Sequence, residues 1–433
     1  MRRRHFLVTL VGALVAPTLR ANAAMPAQDV LTTWYKLVLQ LVRHTPTYSP
    51  PVASRAFAYL GVAGYQAVAA CDPNLTSLAG QLNDLTAFPK AKDGTKDPAL
   101  VLHVALSEAV RFFFANTGPT GQRAMAALDR NLTKDLTTGV ADDVVARSTD
   151  MGRDIAVHII AWSANDGGAD VVNMGFPDAY TLTEGPAHWV PTNLIRMQQT
   201  PLLPNWGNNR PFAMASGATC GLAGPLAYSE DPGSELFRQA LEVYETAKSL
   251  TAEQKVIARF WSDDPMLSPT PPGHWISIVM QIIERDHLPL DQGADALMRV
   301  GVAVADGFIG CWQQKFAHDF LRPITYIRRV IDPKWEPLLI TPPFPEYPSG
   351  HSTQSGAAAT VLAAIFGENF AFSDATHANE GLAERPFPSF WAAAEEAALS
   401  RLYGGIHFRA ANEDGLKQGR CIGEHVVALR TRS

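Results

Sequence analysis

The apolar residues of this chain recur at helical spacing over most of its length. In the first such stretch they fall at Leu31, Trp34, Tyr35, Leu37, Val38, Leu41 and Val42, which predicts a helix over 29–43 with one apolar face. The same spacing predicts helices over 54–71, 99–115, 142–163, 234–249, 252–261, 275–285, 294–316, 351–367, 390–403 and 413–430. Thr251 and Gln254 form a capping box at the start of the sixth of these. Alternating β-branched runs are scarce. The expected fold class is therefore all-α, one helical-bundle domain over 24–433.

Two segments break the pattern. The stretch 167–232 is rich in Pro, Trp and Gly and reads as a long loop excursion laid over the surface or over a site. The stretch 331–348 carries six prolines, which stiffen it into an extended connection.

The amino terminus reads as an export signal rather than as part of the fold. Arg2, Arg3 and Arg4 precede an apolar stretch from Phe6 to Leu19, too short to span a bilayer, and Ala21-Asn22-Ala23 resembles a cleavage site. Arg3-Arg4-His5-Phe6-Leu7 fits the twin-arginine pattern. The expectation is a signal over 1–23 and a protein that is periplasmic or secreted, with no membrane span.

Composition changes this picture little. Apolar residues make up 47% of the 433 and charged residues only 18%, which excludes a disordered chain. The net charge of −6 becomes −10 once the four Arg of 1–23 are removed, and no nucleic-acid partner is expected. Cys71, Cys220, Cys311 and Cys421 contain no Cys-x-x-Cys pair. An exported chain could join them in up to two disulfides or keep them as buried thiols.

The chemistry lies in 312–414. Lys315 and Arg322 are seven residues apart, so one persisting helix would bring both to a single face about 10 Å apart. Pro348-Ser349-Gly350-His351 opens an apolar helix, whose free N–H groups suit a phosphate-like anion, with Ser349 as its cap. Arg401 is followed by Gly404-Gly405, which ends a helix and turns His407 back towards it. Three cations, helix N–H groups and a hydroxyl can cradle one tetrahedral oxyanion. Two histidines remain, one to bond its central atom and one to move protons.

This arrangement resembles the vanadium-dependent haloperoxidases and the type-2 phosphatidic acid phosphatases. Their pattern is Lys-x6-Arg-Pro, then Pro-Ser-Gly-His, then Ser-Arg-x5-His, and all ten positions are met within the last quarter of the chain. The resemblance implies that Lys315, Arg322, Ser349, Gly350 and Arg401 hold vanadate, that His407 ligates vanadium, and that His351 is the acid–base residue. It implies a haloperoxidase that oxidises halide with hydrogen peroxide to a hypohalous acid-like species able to halogenate an organic acceptor. The alternative is a periplasmic acid phosphatase acting through a phosphohistidine at His407, which needs phosphate rather than vanadate. A third reading is an oxyanion-binding protein without catalysis. The absence of spans and the Pro-rich run before Ser349 favour the chloroperoxidase-like branch. Trp312 and Phe344 fall in its halide region, and Asp264, with Asp263 as competitor, supplies a carboxylate to one of the cations. Many relatives carry Asp four residues after the final His. Here that position is Ala411, so Asn412, Glu413, Asp414 or a backbone carbonyl is expected to steady His407.

Overall fold

The computed structural model describes residues 25–432 except 91, 172–175, 177–178 and 193–199. The export signal expected over 1–23 lies outside the described residues. Thirteen α-helices and one two-stranded hairpin make up the regular structure among the described residues. The helices are α1 (Ala27–Arg43), α2 (Pro50–Ala69), α3 (Pro98–Phe113), α4 (Pro119–Thr137), α5 (Asp142–Ser163), α6 (Glu235–Ser249), α7 (Ala252–Phe260), α8 (Thr270–Asp286), α9 (Leu290–His318), α10 (Pro323–Val330), α11 (Gly350–Phe366), α12 (Phe390–Tyr403) and α13 (Arg409–Val427). Strands β1 (Phe372–Asp374) and β2 (Arg385–Phe387) pair antiparallel between α11 and α12.

Two helices organise the interior. Helix α2 is buried on every side from Pro51 to Val68, because its residues are almost all apolar or small. It lies against α9, and a Cβ on Gly61 would approach the Met298 backbone to 2.8 Å, so the two helices meet backbone to backbone. One apolar core runs from Val30 in α1 to Leu429 beyond α13, and a second, smaller one joins α6, α10 and the start of α13.

Helices α11 and α13 are similarly close. A Cβ on Gly415 would lie 2.8 Å from the Ser349 carbonyl, and one on Gly419 would lie 2.2 Å from the Thr353 carbonyl. Only a residue without a side chain fits at either place. This seam holds the beginning of α11 beside the segment that leads into α13.

The long excursion packs onto the carboxyl-terminal half of α9. Backbone N–H groups of Phe212, Ala213 and Met214 donate to the Asp306 carboxylate at 2.7, 2.8 and 3.1 Å. Trp189 and Trp206 are buried. Leu202 donates its N–H to Pro343 and accepts from Trp312 Nε1, which fastens the excursion to the proline-rich connection. A disulfide joins Cys220 in this excursion to Cys421 in α13, while Cys71 and Cys311 are free.

Candidate active site

Five helix ends converge on one place. Lys315 sits in the last turn of α9, Arg322 caps the start of α10, Ser349 caps α11, Arg401 lies in the last turn of α12, and His407 is in the turn before α13. The single helix expected to carry both Lys315 and Arg322 is not present. Asp319 adopts a left-handed conformation (φ 47°) and ends α9, so the chain turns before Arg322. The two cations still meet at one ring: Lys315 Nζ is 5.2 Å and Arg322 Cζ 5.1 Å from the Phe344 centroid.

Lys315 is fully buried and donates to three carbonyls, of Pro345, Glu346 and Pro348, at 2.8, 2.9 and 2.5 Å. Burial pushes its ammonium down to about 7. The three carbonyls oppose that by accepting all three of its protons. Arg322 donates to the carbonyls of Phe344 and Ile406, and its Nη1 lies 3.0 Å from His407 Nε2. Arg401 donates to the Trp261 carbonyl at 2.6 Å. Burial lowers Arg322 to about 9 and Arg401 to about 10. Both nevertheless stay cationic at neutral pH.

Ser349 Oγ accepts the Ser352 N–H, as a helix cap should, which leaves its own proton to donate. A Cβ on Gly350 would make only ordinary contact with Trp312, at 3.7 Å. The first N–H groups of α11 are therefore approachable. Trp312 and Phe344 pack ring to ring at 4.9 Å beside Lys315.

Turning at Gly404 and Gly405 (φ 77°) brings His407 into this cluster. Its Nδ1 is 2.9 Å from Glu346 Oε1, which also accepts the Phe408 N–H. A carboxylate on Nδ1 fixes the proton there and leaves the lone pair on Nε2, facing Arg322. Glu346, 1% exposed, is thus the partner of His407. The residues expected in that role lie elsewhere. Asn412 accepts from Ser352, Asp414 accepts from Tyr347 and Lys417, and Glu413 points to solvent. The Ala411 carbonyl accepts the Ser349 N–H instead. One signal for Glu346 was available, since it is the sole charged residue in 337–350. Burial pushes its carboxyl up to about 7, against Arg322 and Lys315, which lower it. Burial, aided by the cations, holds both His407 and His351 well below the usual imidazole range.

Asp263 and Asp264 both act on the Arg401 cation, and Asp263 is the buried one of the two. Asp263 is buried, at a left-handed φ of 50°, and its Oδ2 lies 3.9 Å from His351 Nε2. Asp264 is exposed and its backbone carbonyl closes a turn with Leu267 and Ser268. The left-handed backbone turns the first aspartate inward and the second outward. Beside Asp263 stand His274 and His377, which belong to none of the sequence motifs.

Two buried donors in this cluster, Arg322 Nη2 and Arg401 Nε, have no protein partner. With the Ser349 hydroxyl and the α11 N–H groups they make a donor set suited to a tetrahedral oxyanion, and Lys315, its protons held by carbonyls, adds positive charge beside it. His407 Nε2 adds one lone pair. Vanadate fits this combination, because it needs both an anion cradle and a nitrogen ligand.

Comparison with known proteins agrees. Residues 295–433 match the family described as the VCPO second helical-bundle domain. No curated protein matches. The crystal structure of a bacterial vanadium-dependent iodoperoxidase is similar over 94% of this chain and 97% of its own, with 38% identity and a TM-score of 0.85. The holo and apo forms of a bacterial vanadium-dependent chloroperoxidase share the fold, at TM-scores of 0.64 and 0.65 and identities of 15% and 14%. They cover 95% and 94% of this chain and 93% and 94% of their own. The motif residues, the helical architecture and the near-complete match to the iodoperoxidase together establish that this chain belongs to the vanadium-dependent haloperoxidase superfamily.

Proposed function

We propose that the protein oxidises halide with hydrogen peroxide, using vanadate held at His407, and that iodide is a favoured halide, as the name of its 38%-identical neighbour suggests. One halide, one peroxide and one proton give a hypohalous acid and water. The observation that carries this reading is the His407 imidazole, with Nδ1 tied to Glu346 and Nε2 turned to the cations. Arg322, Arg401, Ser349 and the Gly350 amide hold the anion, Lys315 adds its charge, and His407 Nε2 supplies the bond to its centre. Vanadate bound there supplies a Lewis-acidic centre that activates peroxide towards halide. His351, kept neutral by burial, accepts a proton at Nε2 from incoming peroxide and returns it to the departing oxygen. Asp263 opposes the effect of Arg401 on that imidazole. Trp312 and Phe344 offer an apolar wall for a polarisable halide, on its way to an organic acceptor.

The test is reconstitution with orthovanadate, followed by assay of iodide, bromide and chloride oxidation. Iodide turnover that disappears in His407→Ala is expected. Bound vanadate without oxidation of any halide would refute the reading. We further infer export. Among the described residues no helix is long and apolar enough to cross a membrane. The Cys220–Cys421 disulfide suits an oxidising compartment. Amino-terminal sequencing of the protein recovered outside the cytoplasm should begin at Ala24.

A further inference from the structure

Behind His351 lies a buried cluster of which the proposed mechanism uses only Asp263. His274, on α8, is fully buried between two carboxylates. Its Nδ1 is 2.9 Å from Asp263 Oδ1 and its Nε2 is 2.7 Å from Asp374 Oδ2. Both ring nitrogens lie within hydrogen-bond distance of carboxylate oxygens. A neutral imidazole could donate from only one nitrogen, and a metal ligand would present a lone pair instead. Two ionised carboxylates, one at each nitrogen, favour the imidazolium. Its face stacks on Trp261, with centroids 4.5 Å apart, and the Trp261 carbonyl accepts from Arg401. The far carboxylate is anchored as well, since Asp374, at the end of β1, accepts the Thr376 N–H at 2.9 Å.

The charged and titratable groups around Asp263 come from several elements. His274 stands on α8, His351 on α11 and Arg401 on α12. His377, in the turn after β1, brings Nε2 to 3.3 Å from Asp263 Oδ1. Its Nδ1 is 3.6 Å from Glu380, which pairs with Arg43 of α1 at 2.6 Å. Asp263 Oδ2 and His351 Nε2 face each other across 3.9 Å, and neither has another hydrogen-bond partner.

We propose that His274 and Asp374 are positioning residues: the imidazolium, clamped between two carboxylates, holds Asp263 in place as the anion that faces His351 and Arg401. The kinetic consequence rests on the haloperoxidase reading above. The clamp itself can be read without turnover. Burial alone would raise the Asp263 carboxyl, but His274 and His377 hold it well below the usual range. Against burial, Asp263 and Asp374 push His274 up to about 10. In the parent, therefore, Asp263 stays ionised throughout the working range. Without His274, two carboxylates share a desolvated pocket and cannot both remain charged, so one takes up a proton. The Asp263 anion is then lost as pH falls through a much higher value than in the parent.

The experiment compares the full chain, His274→Gln and His274→Gln/Asp374→Asn, each checked for folding by circular dichroism. Infrared difference spectra against the parent at about pH 6 should show an added protonated-carboxyl band in the single variant and none in the double variant. For iodide oxidation, the acid limb of kcat/KM should rise by about two pH units in the single variant and return towards the parent's in the double one. A packing role for His274 would not be rescued by removing a carboxylate. A folded single variant with no such band and an unmoved acid limb overturns the proposal, as does a double variant that behaves like the single one. Should His274→Gln not fold, Asp374→Asn gives a second reading by ring-nitrogen NMR. There His274 should lose a proton between about pH 6 and 9, while in the parent it stays doubly protonated over that range. A His274 that titrates in the parent overturns the clamp. If the parent binds vanadate and oxidises no halide, the haloperoxidase reading fails, while infrared and NMR still decide the clamp.

Discussion

Glu346 and His407 act as one unit. The carboxylate holds the Nδ1 proton, which would make Nε2 a stronger donor to a bound vanadium. Glu346→Gln keeps the shape but removes the charge, and should weaken vanadate binding about 10- to 100-fold, measured by titration calorimetry. The pH dependence has a definite sign. Burial keeps His407 neutral well below the ordinary imidazole range, so protonation of Nε2 competes with vanadium only at still lower pH. Vanadium NMR should therefore show coordination persisting as pH falls through 6.5, the reference value for histidine. At this scale the sequence was informative where residue type and spacing carry the chemistry, as with Lys315, Arg322, Ser349, Arg401 and the two histidines. For Glu346 it offered only an isolated charge among prolines, with no sign of a partner 61 residues away. It was ambiguous at Asp263 and Asp264, because one backbone dihedral decides which carboxylate faces inward.

Elements were legible when one apolar face was broad. The helix expected over 390–403 has those bounds as α12, and the Thr251–Gln254 capping box is present. Helix α4 was missed because only Met125, Leu132 and Leu136 of its nineteen residues are buried, too thin a stripe to read. Helix α10 was missed because it is eight residues long and follows a turn that sequence spacing treated as continuous helix. The seam between α11 and α13 was also invisible, since a glycine in a helix reads only as a weak position. It sets how far Ser349 stands from His407. Gly419→Ala would drive a methyl into the Thr353 carbonyl. Overpacking of this kind costs about 1–3 kcal/mol. The expected outcome is a lower Tm together with weakened vanadate binding, although no cradle residue has changed.

Across the whole molecule, the Cys220–Cys421 link closes a loop of 201 residues and ties the excursion to α13. Chain entropy puts its contribution at about 5 kcal/mol, an upper figure. Replacing both cysteines with Ala should lower the denaturation midpoint accordingly, and more than replacing Cys71, which is free. Net charge gave no view of the site, because a mildly acidic chain conceals three buried cations. The convergence of five helix ends has one more consequence. No single bundle element owns the cradle, so it exists only when α9, α10, α11, α12 and the turn before α13 are all docked. Oxyanion occupancy is then a gauge of correct assembly. A ligand at one hundred times its Kd adds about 2.7 kcal/mol to the assembled state and nothing to a form with one helix astray. Tm should climb with vanadate concentration, and chains with a displaced helix should be recognisable as those that cannot retain it.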